Sequence, residues 1–456
     1  MTQRGQDVVA ADACVSPDGL TTRQLVMRRT RSTPERQYAA LLLLLLLVGP
    51  GVGYGPLYLS HLLIFLAVPF VVRRWLRSRS EWCFVMPAVI WAALLLVYVV
   101  WRAIDVRSSE MLAMHAAMVG LSLLSGVAAA ACVRALGVRR TIACLAFFIA
   151  LLTILSIIES ALGWRLPVSR FSANGLDAVL ADMSDRLLQV PTGFYGNQNN
   201  LALICVLLIP LCALFERRMT RNCAVGSLAV ITLLSESRFG LLGLGLSLIA
   251  LPWITGRRLR LGMLAAAGVA IALIVWLMTE HCSAWFADKI CVAIGYARER
   301  PDLASIALAG DSIGVRVDLW MQALAQIERH PALGIGPGQS ALYLSAEHYQ
   351  AGTIVNPHNP VLEILLEYGL VGGLLWAVGY AELLRRAAGE CANRSGRAAL
   401  AVLCILPIAA PAISSLYYFT PAAAIVGLVM GVASCYRQRE SYGKTFRAID
   451  PVWRAV

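Results

Sequence analysis

Apolar runs of membrane-span length recur along nearly the whole chain, and they limit what it can fold into more than any single motif does. A helix needs roughly 20 apolar residues to cross about 30 Å of hydrocarbon. Segments of that kind lie at 38–54, 56–72, 82–101, 111–133, 141–162, 197–216, 222–236, 239–256, 260–279, 360–384, 398–415 and 417–436. No water is available in lipid to satisfy backbone N–H and C=O groups, so these runs must be helices. The chain is 59% hydrophobic and 14% charged, with a mean hydropathy of +0.69. That is too apolar for a soluble protein of 456 residues. The expected fold is an all-α integral membrane protein with about twelve spans.

A formal net charge of +12 would suggest nucleic acid if the charge were evenly spread, but it is not. Basic clusters occur at 23–36, 73–79, 134–140, 217–221, 257–260, 385–397 and 437–447. In a twelve-span arrangement all of them fall on one side, which follows the positive-inside rule. The expected layout places residues 1–37 in a disordered cytoplasmic tail and spans one to nine in 38–279. A large external loop occupies 280–359, spans ten to twelve occupy 360–436, and 437–456 form a second cytoplasmic tail. The basic balance thus reports orientation, and no nucleic-acid partner is expected. Most of the twelve cysteines sit in predicted spans, where they act as small apolar residues. Cys282 and Cys291 share the external loop, where pairing in an oxidising compartment stays open. No spacing suits a metal, and no metal or cofactor is expected.

Polar residues gather at a few places. Asp105 and Glu110 occupy a short external loop and read as a solvated rim or as an acidic base. A second external loop, 163–196, runs into Thr192–Asn200, where Asn197, Gln198, Asn199 and Asn200 follow two glycines and two aromatics. One asparagine is accounted for as a helix N-cap; the others suit a ligand-facing cluster. Arg238 follows Ser235-Glu236-Ser237 at the external end of a span. It is either a snorkelling side chain or a functional charge with an anionic partner.

The densest region runs from Gly310 to Trp376. Val315, Leu319, Ala323 and Ile327 repeat every four residues, the pattern of an amphipathic helix. Arg316 is expected in its first turn, where it opposes the helix dipole and suggests an anionic partner. His330-Pro331 ends that helix. Gly334, Gly336 and Gly338 then form a turn whose backbone is able to approach a ligand. His358-Asn359-Pro360 opens the next span, with Asn359 as cap and Pro360 at the first helical position. The positive helix end would keep His358 neutral and able to act as a base. Glu363 and Glu367, four apart on one face, are candidate partners for Arg238 or Arg316.

In this layout the Asn197–Asn200 cluster, Arg238, Arg316 and His358 meet at one membrane surface. Two arginines and two helix N-termini make an anion site, and a neutral histidine supplies a base. The segments GFYGNQNNLA, SESRFGLLGL, RVDLWMQAL, HPALGIGPGQ and HNPVLEILLEYGLVG, in that order, resemble the O-antigen ligase and O-antigen polymerase superfamily over about 194–376. The resemblance implies a GT-C-type membrane glycosyltransferase. It would use an undecaprenyl-pyrophosphate-linked saccharide as donor and a glycan or lipid A-core as acceptor, without metal or nucleotide sugar. It would sit in the bacterial inner membrane with its site on the periplasmic face. Catalytic roles carry over to Arg238, Arg316 and His358. Asn197, Asn199, Asn200, Gly336, Gly338, Asn359 and Glu363 are the candidate substrate-binding residues. A ligase, which moves a finished glycan to lipid A-core, is favoured slightly over a repeat-unit polymerase. A transporter or flippase is the reading from a different class. It fits less well, because the polar residues gather at one face and not at the midplane.

Overall fold

The structure is a computed structural model. It describes residues 34–49, scattered positions between 53 and 90, and residues 93–102, 106–162, 190–195, 197–235, 237–256, 312–344, 356–413, 415–416 and 419–435. The described chain is helical, apart from a minimal antiparallel pair, β1 (Gly53–Tyr54) and β2 (Leu57–Tyr58). The helices are α1 (Pro34–Val48), α2 (Ala93–Arg102), α3 (Ser109–Leu136), α4 (Val138–Leu162), α5 (Gln198–Cys212), α6 (Arg218–Leu234) and α7 (Arg238–Thr255). They continue with α8 (Ser312–Arg329), α9 (Ser340–Tyr343), α10 (Pro360–Gly389), α11 (Arg394–Ala409) and α12 (Thr420–Cys435), with a 3₁₀ turn, η1 (Ala410–Ala412), after α11.

Among the described residues four helices, α3, α4, α7 and α10, are long and apolar enough to cross a membrane. Shorter apolar helices (α2, α5, α12) coincide with further expected spans. The expected span at 260–279, the Cys282/Cys291 pair, Asp105 and much of the 280–359 loop lie outside the described residues, and the expected span at 56–72 is described only at scattered positions, with the short strand β2 at its start instead of helix. Helix α1 begins at Pro34 and so takes in the last residues of the expected tail.

Helix α5 is the centre of the bundle. Every residue from Leu201 to Cys212 is buried, as expected of a helix that is apolar all round. It packs against α6, α7 and α11. Small residues set the closest crossings. A Cβ added to Gly240 would lie 2.6 Å from the Ala202 Cβ, and one on Gly243 would lie 2.7 Å from Val206. Backbones approach this closely in membranes where side chains are minimal.

Helix α10 is two helices joined across a kink. Gly369 sits at φ 62°, ψ −165° and breaks the ladder. The break orphans the carbonyls of Leu366 and Glu367 and the N–H groups of Leu370 and Val371. The glycine-rich segment 331–336 satisfies all four. Ile335 N–H donates to Leu366 O (2.8 Å) and Gly336 N–H to Glu367 O (3.1 Å). Leu370 N–H donates to Pro331 O (2.9 Å) and Val371 N–H to Ala332 O (3.1 Å). The Tyr98 hydroxyl of α2 reaches the carbonyls of both Tyr368 (2.8 Å) and Leu333 (2.9 Å). Arg102 donates from Nη2 to Gly334 O (3.1 Å). Non-helical backbone at membrane depth persists only where protein satisfies it in this way.

The fit leaves no room for a methyl group. Gly334 has φ +65°, and a Cβ there would come within 2.6 Å of the Glu367 carbonyl carbon and the Gly369 nitrogen. Gly334→Ala and Gly369→Ala should each destabilise the protein by about 2 kcal/mol or more, through strain and overpacking. Gly120 and Gly226, inside α3 and α6, have nothing within 4 Å of an added Cβ, so alanine there should hold or raise stability, by up to about 1 kcal/mol. Thermal unfolding of detergent-purified variants checks the contrast.

Candidate functional site

The interlock at Gly369 fixes the short N-terminal half of α10, and the polar residues cluster there. Asn359 caps it as expected, its Oδ1 accepting from Val361 N–H (3.0 Å) and Leu362 N–H (3.3 Å), with Pro360 at the first position. That cap occupies the Asn359 oxygen. His358 precedes it at φ 47°, the one non-glycine with positive φ among the described residues. Such a conformation costs on the order of 1 kcal/mol and is retained where surroundings enforce it. Here Asn356 Oδ1 accepts from His358 N–H (3.0 Å), and Trp320 of α8 donates its indole N–H to Pro357 O (2.6 Å). The histidine is thus presented by clamps on both sides.

His358 is half-buried, and its imidazole is pushed down to about 4. Burial is the largest cause and the Arg316 guanidinium the second, against a hydrogen bond to the Ile413 carbonyl. The sequence argument reached neutrality through the helix end; the geometry reaches it through desolvation and a neighbouring cation. Nδ1 has no hydrogen-bond partner. The bond to Ile413 therefore belongs to Nε2–H, and Nδ1, itself buried, keeps its lone pair unused.

Arg316 lies beside His358 as expected, but α8 begins at Ser312, so Arg316 stands in the second turn. The dipole argument weakens accordingly. Leu319 and Ala323 of α8 are buried against Ile335, Leu344 and Leu366, as their four-residue spacing predicts.

Arg238 is exposed at the first position of α7, where Ser237 Oγ caps the helix by accepting from Gly240 N–H (3.3 Å). No hydrogen bond or ion pair engages its guanidinium among the described residues. Asn197 caps α5, its side chain accepting from Asn199 N–H (2.8 Å). Asn199 and Asn200 are half-buried, and Asn200 Nδ2 is 3.5 Å from Tyr195 O. The Gly240–Ala202 approach sets the starts of α5 and α7 at one end of the bundle. The turn η1 touches α5, α7 and α11, and Ile413, which follows it, meets His358. Residues 410–413 thus touch both the helices that carry Asn197–Asn200 and Arg238 and the His358 side.

Other expected residues take packing positions. Gly336 donates its N–H to α10, and a Cβ on Gly338 would lie 2.7 Å from the His115 Cβ and Met111 O of α3. These glycines face helices. Glu367 turns to His115 (3.5 Å, Oε2 to Nδ1) and accepts from the Ser340 hydroxyl (2.6 Å). His115 Nε2 meets the Tyr368 hydroxyl at 2.5 Å. Glu363 is 1% exposed and lies against Ser415 and Glu367.

Sequence reasoning missed Glu159. Fully buried near the end of α4, it accepts from Thr192 N–H (2.7 Å) and Gly193 N–H (2.6 Å). It anchors the turn that leads into Asn197. Phe194 stacks on Phe148, and Tyr195 donates its hydroxyl to Leu47 O (2.9 Å). An acidic residue near the end of an apolar run was the only signal. Glu159→Ala should cost about 1–3 kcal/mol, because two buried N–H groups lose their acceptor. Glu159→Gln, which keeps an acceptor oxygen, should recover part of it. Melting temperatures and amide exchange at Thr192 and Gly193 report both effects.

Comparison with known proteins agrees with the resemblance read from the sequence. Residues 223–377 match the family model described as O-antigen ligase. No curated protein matches the chain. The matched stretch contains Arg238, Arg316, His358, Glu363 and the interlock at Gly369.

Proposed function

We infer, taking the O-antigen ligase match over residues 223–377 as premise, that this chain is a membrane glycosyltransferase. It moves a glycan from a lipid pyrophosphate to an acceptor hydroxyl. We assign the ligase reaction, with undecaprenyl pyrophosphate as carrier and lipid A-core as acceptor. Joining repeat units on the carrier, the polymerase reaction, is the second reading, since the match spans both. The site would face the periplasm in the bacterial inner membrane with both termini cytoplasmic, as the basic clusters favour. The proposed layout keeps the tails at 1–37 and 437–456 and the external loop at 280–359.

The observation that carries this reading is the neutral His358 with a bare Nδ1 beside the Arg316 cation. In the proposed step the acceptor oxygen attacks the anomeric carbon and its proton passes to Nδ1. The bond from that carbon to the phosphate oxygen breaks, and the electron pair leaves with the pyrophosphate. Arg316 and the exposed Arg238 stabilise the developing charge. Asn197, Asn199 and Asn200, at the start of α5, are proposed to contact the donor. Gly336, Gly338 and Asn359 support the site through backbone and cap geometry.

Purified protein with lipid-linked glycan and lipid A-core tests the assignment. His358→Ala should retain its fold and lose transfer by about 10²-fold or more; unchanged transfer overturns the site. Arg238→Ala should raise the donor KM. Cells carrying inactive protein should accumulate long unattached polymer if it is a ligase, and single repeats if it is a polymerase.

The pH profile gives an independent check. A base with its pKa near 4 stays competent from neutrality down to about pH 5 and fails as pH falls further. Arg316→Gln removes one of the two causes that depress it. The acid limb of the residual activity should therefore move upward, toward the ordinary histidine value of about 6.5.

A further inference from the structure

Hydrogen-bonding capacity is left over at several places in the described interior, and four of those atoms belong to residues linked to one another. Asn356 is 2% exposed, Glu363 1% and Ser415 6%. Asn356 Nδ2, Glu363 Oε2 and Ser415 Oγ have no hydrogen-bond partner, and neither does His358 Nδ1. Native interiors rarely leave such atoms unmatched, and a cluster of them marks a site with a polar occupant to come.

The four residues are neighbours. Asn356 is bonded to the His358 N–H, the His358 ring is bonded to the Ile413 carbonyl, and Ser415 lies against the Glu363 carboxyl. Two of them, His358 and Glu363, are held by the N-terminal half of α10. Ser415 comes from the stretch after η1, beyond the matched 223–377 region. His358 is half-buried and the other three are buried.

We propose that Asn356, Glu363 and Ser415 form a cup that binds the hydroxyl groups of a saccharide and holds the acceptor against His358. The chemistry of the set selects that ligand class. Asn356 Nδ2 donates, the Glu363 oxygen accepts, and the Ser415 hydroxyl does either. Adjacent sugar hydroxyls, each a donor and an acceptor, match such a mixed set. The set contains no cation, so it does not suit phosphate. The cup rests on the transferase reading for its role, which is to position the acceptor. The charge of the leaving group stays with the arginines.

The test measures binding and stability apart from transfer. The probe is a lipid A-core oligosaccharide freed of its acyl chains, titrated calorimetrically into wild type, Asn356→Ala and Ser415→Ala in nanodiscs. Each variant is expected to weaken binding about tenfold, the loss of one or two hydrogen bonds. In the transfer assay the acceptor KM should rise while the donor KM holds. Ser415→Ala removes a buried hydroxyl without a partner, so its melting temperature should hold or rise. A residue with only a packing role would lower the melting temperature and leave binding unchanged; that pattern overturns the proposal. Unchanged oligosaccharide affinity in both variants also overturns it, while loss of transfer in His358→Ala would leave the transferase reading intact. If wild type binds the oligosaccharide, the variants bind it less and no transfer occurs, the cup stands and the transferase assignment fails.

Discussion

The backbone exchange across Gly369 is the constraint on which the rest of this end of the molecule depends. A continuous helix from Pro360 to Gly389 would use Leu366 O and Glu367 O internally. It would leave the segment 331–336 with nothing to pair with. Breaking the helix creates four orphan groups in an apolar setting, each costing several kcal/mol if left alone. The segment 331–336 supplies four partners in matching order. The interlock converts two irregular pieces of chain into one rigid unit. That unit holds the N-terminal half of α10 at a fixed height and angle, and with it His358, Asn359 and Glu363.

The polar groups around the interlock belong to the same solution. Tyr98 and Arg102 reach in from α2, and Gln339 exchanges hydrogen bonds with the Ser108 backbone at the start of α3 (3.0 Å each way). His115, Tyr368, Glu367 and Ser340 continue the network through the interior. Early helices that carry no recognisable motif thereby become the frame of the site. A network of this kind is high-stakes in a low-dielectric interior: satisfied, it fixes one geometry; half satisfied, it is worse than apolar packing. This explains why residues as far apart as Tyr98 and Tyr368 are tied by short, directional contacts and not by bulk alone.

Local features were legible in the sequence. The four-residue repeat through Leu319 and Ala323 identified α8, and Asn359-Pro360 and Asn197 read correctly as helix starts. Those features depend on neighbours within a turn or two. The nearness of Arg316 to His358 was anticipated from topology. The depression of the His358 pKa was anticipated too, though its main cause, burial, is a tertiary property. The glycines of 334–338 show the limit most clearly. Their conformational freedom was evident, but whether a bare backbone faces a ligand or another helix depends on what folds against it. Gly369 was hidden because EYGLVGG still reads as a span on hydropathy. Glu159 was hidden because its partners, Thr192 and Gly193, lie more than thirty residues away, and Ser415 because Glu363, which it lies against, is as distant in sequence.

Ser415 also bears on what the matched region means. In the proposed reaction the stretch 223–377 would carry the donor side and the base, on helix ends and loops. The acceptor must approach the base from the face that those elements leave open. In this fold η1 packs on α5, α7 and α11, and Ile413 after it meets His358. A segment with one foot in the bundle core and the other beside the base is suited to varying acceptor contacts without disturbing the interlock. Specificity for the incoming hydroxyl would then be written outside the motif that identifies the chemistry. That is physically reasonable wherever one leaving group is served by many acceptors.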